Sequence, residues 1–281
     1  MRVSAVDLIS NNVNVMTLGL RRPSTADKYL AKAIIGLDAD EIISKFYAFS
    51  LAGDKRFYDY ALGTREIAMR VVMNPNYILN EQPSDLRDDL YRTIAASRTG
   101  TVLLVLKSGA TSVAQIEGQI IKFEVPHFSK IPELQLTLKC EDPIFRAIND
   151  VVFEHGSLGL GAAQPYELTD AISTSPHGLF MDLTLQTPGA SFTIQDPPGD
   201  WKFELAPQGG FFAGDRLRIS SEYANRYVTL ERSSVVTHIA NSLVVGSIWP
   251  IVFPGINSFN SNYSPNIHWN EVSFRPAYWG V

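Results

Sequence analysis

The sequence predicts a mainly β fold of short antiparallel strands, in a sandwich or a barrel, with one helix in its first half. Three observations carry this. Apolar and polar residues alternate with period two over many short segments, as they do when successive strand side chains point to opposite faces. Turn-forming clusters separate those segments at regular intervals. Helical periodicity is clear in a single stretch.

The alternation is plainest in the second half of the chain. In GLFMDLTLQT, Met181, Leu183 and Leu185 alternate with Phe180, Asp182, Thr184 and Gln186. WKFEL sets Trp201, Phe203 and Leu205 against Lys202 and Glu204, and DRLRIS sets Leu217 and Ile219 against Arg216, Arg218 and Ser220. Between them lie TPGA (187–190), DPPGD (196–200), PQGG (207–210) and AGD (213–215), all turn chemistry. In the first half, TVLLVLKS (101–108) and VAQIEGQIIKFEV (113–125) read as strands, with a bulge expected at Gly118.

The helix is expected over about 84–98. Ser84 is the expected N-cap, and Asp85, Asp88 and Asp89 complement the positive helix end. Leu86, Leu90, Tyr91, Ile94 and Ala95 make an apolar stripe that would cover a sheet face, with Arg98 and Gly100 closing the last turn.

Composition limits the functions available. The 281 residues carry 24 basic and 29 acidic side chains, a net charge of −5, which does not suit a chain built to neutralise nucleic-acid phosphates. Cys140 is the one cysteine, so no intrachain disulfide forms and no Cys/His zinc cluster exists. Asp7, Asn11 and Asn12 interrupt the N-terminal apolar run, and no stretch of about 18 apolar residues occurs. The expectation is a soluble product of the cytoplasm with no membrane-spanning helix.

Residues 1–146 carry net charge +1 and the remainder −6. The change coincides with HGSLGLGAAQP (155–165), which is small and nearly uncharged. The expected organisation is a domain over 1–146, a linker over 147–164 and a second domain over 165–281.

Motifs for chemistry are weak throughout. GSLGLGAA fails the dinucleotide-loop spacing, because Gln164 stands where the last glycine belongs, and it reads as a linker. His127, His155, His177, His238 and His268 show no metal-ligand spacing. Asp196, Asp200 and Glu204 could form a glycosidase pair, but turn and strand-face roles account for them. Cys140 precedes Glu141 and Asp142, which disfavour a thiolate. No catalytic residue, cofactor or metal is expected. Trp201 and Trp269 read as core; Trp249 and Trp279, in loop and tail, could instead stack on sugars.

Four segments in order resemble those of siphophage distal tail proteins. LGTREIAMRVVM (62–73), opening Gly63-Thr64-Arg65-Glu66-Ile67, resembles that family's G-x-R-x-I strand. LKCEDPIF (138–145) is similar to its exit from the first domain, and AGDRLRIS with NRYVTL (213–230) to its G-D-x-L-x-I hairpin. WPIVFPGIN (249–257) resembles the x-P-G-x-N segment before the last strand, here IHWNEVSFRPAYW (267–279).

The resemblance, or an equivalent protein of a prophage or gene-transfer particle, implies two β-sandwich domains. The first, with its covering helix, would form a hexameric ring around the tail channel; the second would be galectin-like. Such a protein joins the tail tube to the hub or tail-associated lysin, meets the tape measure protein, holds tail fibres or receptor-binding proteins, and lets DNA pass without specific binding. It would belong to the virion's tail tip, assembled in the bacterial host cytoplasm. No large inserted sugar-binding module is present. Arg65, Glu66, Arg70, Asp88, Arg92, Trp249 and Trp279 are the candidate ring or partner contacts.

SIWPIVFPGINSF (247–259) is uncharged and broken by Pro250 and Pro254-Gly255, and reads as a buried, irregular return loop. Alternatives to the structural role are a carbohydrate-binding module, a glycan hydrolase, and the tail tube protein, which is also β-rich.

Overall fold

The computed structural model describes residues 3–10, 13–20, 28–38, 42–48, 55–62, 64–97, 101–125, 133–153, 166–196, 202–222, 225–263 and 266–280. It divides into two units, residues 1–148 with 278–281, and residues 149–277.

The first unit contains β1 (Ala5–Ser10), β2 (Val13–Gly19), β3 (Tyr29–Ile35), β4 (Ile42–Ala48), β5 (Lys55–Leu62), β6 (Arg65–Met73), α1 (Pro83–Ser97), β7 (Val102–Ser108), β8 (Thr111–Glu124), β9 (Glu133–Cys140) and β10 (Phe145–Ala147). Seven strands, β8-β7-β1-β2-β3-β6-β9, close on themselves because β8 also pairs with β9. β8 does this in two stages. It runs beside β7 as far as Val102↔Gly118, then beside β9 from Gln119↔Lys139. Where the sequence left sandwich and barrel open and the family resemblance implied a sandwich, this unit is a closed barrel, which removes exposed sheet edges. β4 and β5 form a separate antiparallel hairpin.

The barrel's core follows the period-two pattern. Val6, Leu8, Ile67, Met69, Val71, Leu104, Leu106, Leu136 and Leu138 are buried. Gly118 produces no bulge, since the register shifts lie at Leu106/Lys107 and Ile120/Lys122. A Cβ there would stand 2.8 Å from Cys140 Sγ and 2.9 Å from the Lys139 carbonyl. The glycine is needed for close approach of β9, at the residue where β8 changes partner.

The helix begins one residue earlier than expected, with Pro83 in the first turn and Gln82 before it. Ser84 is therefore inside the helix and not its cap. Asp85 instead reaches back, its carboxylate accepting from Gln82 N–H at 2.9 Å. Leu86, Leu90 and Ile94 join the barrel core, while Tyr91 stays partly exposed with its ring edge-on to Phe123 at 5.2 Å. Tyr29 Oη donates to the Leu86 carbonyl at 3.3 Å. Burial, with help from Asp89 and Glu81, pushes that phenol up to about 12. Arg98 and Gly100 lie outside the described residues.

The second unit contains β11 (Val151–Phe153), β12 (Tyr166–Asp170), β13 (Phe180–Leu185), β14 (Phe192–Gln195), β15 (Lys202–Leu205), β16 (Arg216–Ser220), β17 (Tyr227–Arg232), β18 (Val235–His238), β19 (Gly255–Ser261) and β20 (Ile267–Phe274). They form a six-stranded sheet, β11-β20-β13-β16-β17-β18, and a four-stranded sheet, β12-β19-β14-β15. Met181, Leu183, Leu217, Ile219 and Val272 of one sheet share a core with Leu168, Phe192, Ile194, Phe203 and Phe259 of the other. Trp269 is buried and stacks on Tyr166 at 4.5 Å, as a core residue should. β11 lies within the stretch expected as linker. A last strand, β21 (Ala277–Tyr278), pairs with β10.

Candidate functional site

The residues that could act are surfaces and struts. Arg65 opens β6 in phase with Ile67, Met69 and Val71, so its side chain turns inward and is 1 % exposed. Its guanidinium donates to the carbonyls of Gly36 (3.1 Å), Asp38 (2.9 Å) and Trp279 (2.5 Å), and lies 4.8 Å from the Phe145 ring centroid. Gly36, at φ +94°, sits against β6, where a side chain would strike the Glu66 carbonyl. Arg65 is thus an internal clasp rather than a contact residue, which corrects its place among the interface candidates. Glu66 and Arg70 occupy the opposite, exposed face of the same strand. Asp88 and Arg92 are exposed on the helix, and Asp88 pairs with Arg87 at 3.3 Å.

Between β6 and α1 a single 3₁₀ turn, Tyr77–Leu79, holds three apolar side chains in water, 66 %, 92 % and 72 % exposed. Asn76 Oδ1 accepts from Ile78 N–H at 3.1 Å, and Asn80 closes the turn in the left-handed region at φ 57°. The Glu81 carboxylate accepts from Asn76 N–H at 3.0 Å and pairs with Lys28 at 2.9 Å. The Lys28 hydrogen bond, then that of Asn76, holds Glu81 below the usual carboxylate range. Local hydrogen bonds thus hold an exposed apolar surface in one conformation. The sequence signal was NPNYILN, an apolar triplet bracketed by turn residues.

In the second unit a charged ladder crosses the outside of the six-stranded sheet. Asp182 accepts from Arg216 Nε (2.7 Å) and Nη2 (2.6 Å), Arg218 Nε (3.2 Å) and Asn270 Nδ2 (2.9 Å). Burial works to raise its pKa, but these donors outweigh it and the net shift is downward. Arg218 also pairs with Glu231, and Arg232 with Asp215. These groups neutralise one another, with partly exposed arginines over the buried carboxylates of Asp182 and Asp215.

The segment 247–259 is a buried loop only in part. Val252 and Phe259 are buried, but Ile248, Phe253 and Ile256 are 41 %, 49 % and 76 % exposed, and from Gly255 the chain is strand. Strand alternation is the reason, since it sends Asn257 and Phe259 inward and Ile256 outward. Asn257 fixes the turn by accepting from Phe253 N–H (2.8 Å) and donating to the Phe253 carbonyl (2.7 Å). Trp249 packs on Phe203, with centroids 5.4 Å apart, and Arg226 stands 5.9 Å over its ring. Trp279 is half-buried.

Among the described residues, those considered for chemistry form no metal-holding group. Glu204 pairs with Lys202 at 2.6 Å, while Trp201, Asp200, His127 and His155 lie outside the described residues. His177 is buried, its Nδ1 3.1 Å from the Ser175 carbonyl and its Nε2 3.7 Å from Asp170 Oδ2. Among the described residues no group of three or more His, Cys, Asp and Glu is placed to hold a metal, and no helix is long and apolar enough to cross a membrane. A shallow cavity of about 210 Å³ is lined by Thr187, Ser191, Asn262, Tyr263 and Asn266, with no carboxylate.

The fold of this chain is similar to that of solved phage proteins. The SPP1 Dit protein (gp 19.1), described as a paradigm of the hub adsorption apparatus in phages infecting Gram-positive bacteria, matches over 97 % of this chain and 98 % of its own, with TM-score 0.62 and 11 % identity. Chains of the phage p2 baseplate, in its activated conformation with strontium and with calcium, match over 99 % of both lengths at TM-score 0.44 and 9 % identity. No family model and no curated protein matches the sequence.

Proposed function

We propose that this chain is a structural component of a phage tail tip, a distal tail protein of the hub. The observation that carries the reading is agreement of fold with SPP1 Dit over nearly the whole length of both chains, at 11 % identity. It coincides with the ordered segments around Arg65, Asp142, Asp215 and Pro254-Gly255, which resemble the same group.

In this reading the barrel unit assembles as a hexameric ring around the tail channel. Glu66, Arg70, Asp88, Arg92 and the Tyr77–Leu79 turn supply contacts to neighbouring copies, the tail tube protein, the hub or tail-associated lysin and the tape measure protein. The two-sheet unit, a galectin-like sandwich, faces outward and anchors fibres or receptor-binding proteins. The near-neutral balance of residues 1–146, net +1, suits a channel through which DNA passes without being held. The role is structural rather than enzymatic, and the sugar-platform alternative draws no support from Trp249, whose ring is packed against Phe203.

Sedimentation and electron microscopy of the full chain with its tube protein test the assembly. The expected result is a six-fold ring, weakened by Ile78→Asp. Monomer at all concentrations, with and without the tube protein, overturns it.

A further inference from the structure

The second unit treats its sheet edges unequally. The edge strand β15 is covered by the segment that follows β18. Ala206 N–H donates to Ser242 O (2.9 Å), Val244 N–H to Glu204 O (3.0 Å) and Ile248 N–H to Lys202 O (2.8 Å). Ser247 Oγ bridges the amide and carbonyl of Glu204 at 3.1 and 3.0 Å. β18, the outer strand of the six-stranded sheet, has no such cover among the described residues, and all four of its side chains are exposed. Val235 and Val236 are 64 % and 52 % exposed. Shortness is the protection this edge has, at four residues; it holds no lysine, no proline and no bulge.

The hairpin geometry shows which backbone groups face out. β17 and β18 join through Ser233-Ser234, both at positive φ (50° and 64°), a two-residue turn of the type whose twist suits a hairpin. Ile239 N–H donates to Val228 O at 3.0 Å, which makes 228/239 a hydrogen-bonded pair. Alternation then makes Leu230/Thr237 and Arg232/Val235 hydrogen-bonded pairs as well. The amides and carbonyls of Val236 and His238 therefore point away from β17, ready to receive another strand.

We infer that the edge of β18 is a self-association site, on which a second copy of this chain adds its own β18 antiparallel about a two-fold axis. Charge decides for a copy. A two-fold axis sets identical residues close together, so it tolerates only an edge without net charge. β18 is Val-Val-Thr-His, and both charges of the adjacent strand are already paired, Glu231 with Arg218 and Arg232 with Asp215. One register uses every outward group of both copies: Val236 opposite the second copy's His238, and Thr237 opposite its own counterpart on the axis. It forms four backbone hydrogen bonds and places threonine beside threonine, a favourable cross-strand pair.

Two four-residue strands make a small contact, of the reversible class. A two-fold contact cannot form between neighbours of a closed cyclic ring, so it joins free chains or separate rings, and it stands or falls independently of the proposed ring.

Thr237→Cys tests it. Thr237 faces itself in a non-hydrogen-bonded pair, where Cα atoms approach to about 4.5 Å, within disulfide reach. The native Cys140 is fully buried and silent. Under mild oxidation the full-length variant should give disulfide-linked dimer about tenfold faster than Val245→Cys, whose side chain is fully exposed away from the edge. Adding Val236→Pro, which removes an outward amide and leaves the bonds to β17, should cancel that advantage, and Val236→Lys should do the same through charge. Equal rates for the 237 and 245 cysteines, or rates unchanged by both Val236 substitutions in folded protein, overturn the proposal.

Discussion

Arg65 Nη2 donates to the carbonyl of Trp279 at 2.5 Å, joining residues 214 positions apart in the chain. The same guanidinium holds Gly36 and Asp38, so one buried cation on β6 gathers three carbonyls from two other backbone segments of the barrel unit. Arg65→Ala should destabilise the protein by about 3 kcal/mol, because the buried side chain is lost and three partly buried carbonyls lose their donor together. Trp279→Ala should cost less, since the acceptor is a backbone atom that survives the change. Urea unfolding of both variants checks this; equal losses would show that the indole and not the clasp carries the energy.

Gly118→Ala places a methyl group against Cys140 Sγ and the Lys139 carbonyl. The expected cost is about 1–3 kcal/mol, as for other overpacked sites. Gly109→Ala is the control: its left-handed φ of 64° adds backbone strain, but nothing lies within 4 Å of the new atom. Thermal melts of the two variants separate close approach from conformational strain.

Asp182 gives the second unit a pH dependence of known sign. Its folded pKa lies below the ordinary value, so its stabilising contribution is present above that value and is lost as pH falls through the folded one. Asp215, lowered in net by Arg232 and the Phe212 amide against the opposing effect of burial, acts in the same direction. The urea midpoint should decline below about pH 4. Asp182→Asn should flatten that decline while costing about 1–3 kcal/mol at neutral pH.

Ser233 and Ser234 adopt a backbone conformation that suits Asn-Gly better. The double substitution Ser233→Asn, Ser234→Gly should stabilise the β17–β18 hairpin by about 1 kcal/mol. Slower amide exchange at Val235 and Thr237, which bond inward, would confirm it; unchanged exchange would refute it.

Much of the strand inventory was legible because half-buried strands write their burial into the sequence at period two. Met181, Leu183, Leu185, Phe203, Leu205, Leu217 and Ile219 all lie inward as their alternation requires. Pairing was not legible. Nothing in the 111–124 stretch announces that one strand changes neighbours at Gly118 and thereby closes a barrel, because periodicity reports a strand's face and not its partner. Arg65 was misjudged by residue type, although its phase with Ile67 and Met69 pointed inward. The apolar content of 247–259 suggested burial throughout, and the strand beginning at Gly255 exposes Ile256 instead. Tyr77–Leu79 went unnoticed because three apolar residues have no period.

The barrel unit owns both the opening of the chain and residues 278–281, with the two-sheet unit made in between. Synthesis therefore runs through every strand of the second unit's sheets, β11 to β20, before Trp279 is available to Arg65.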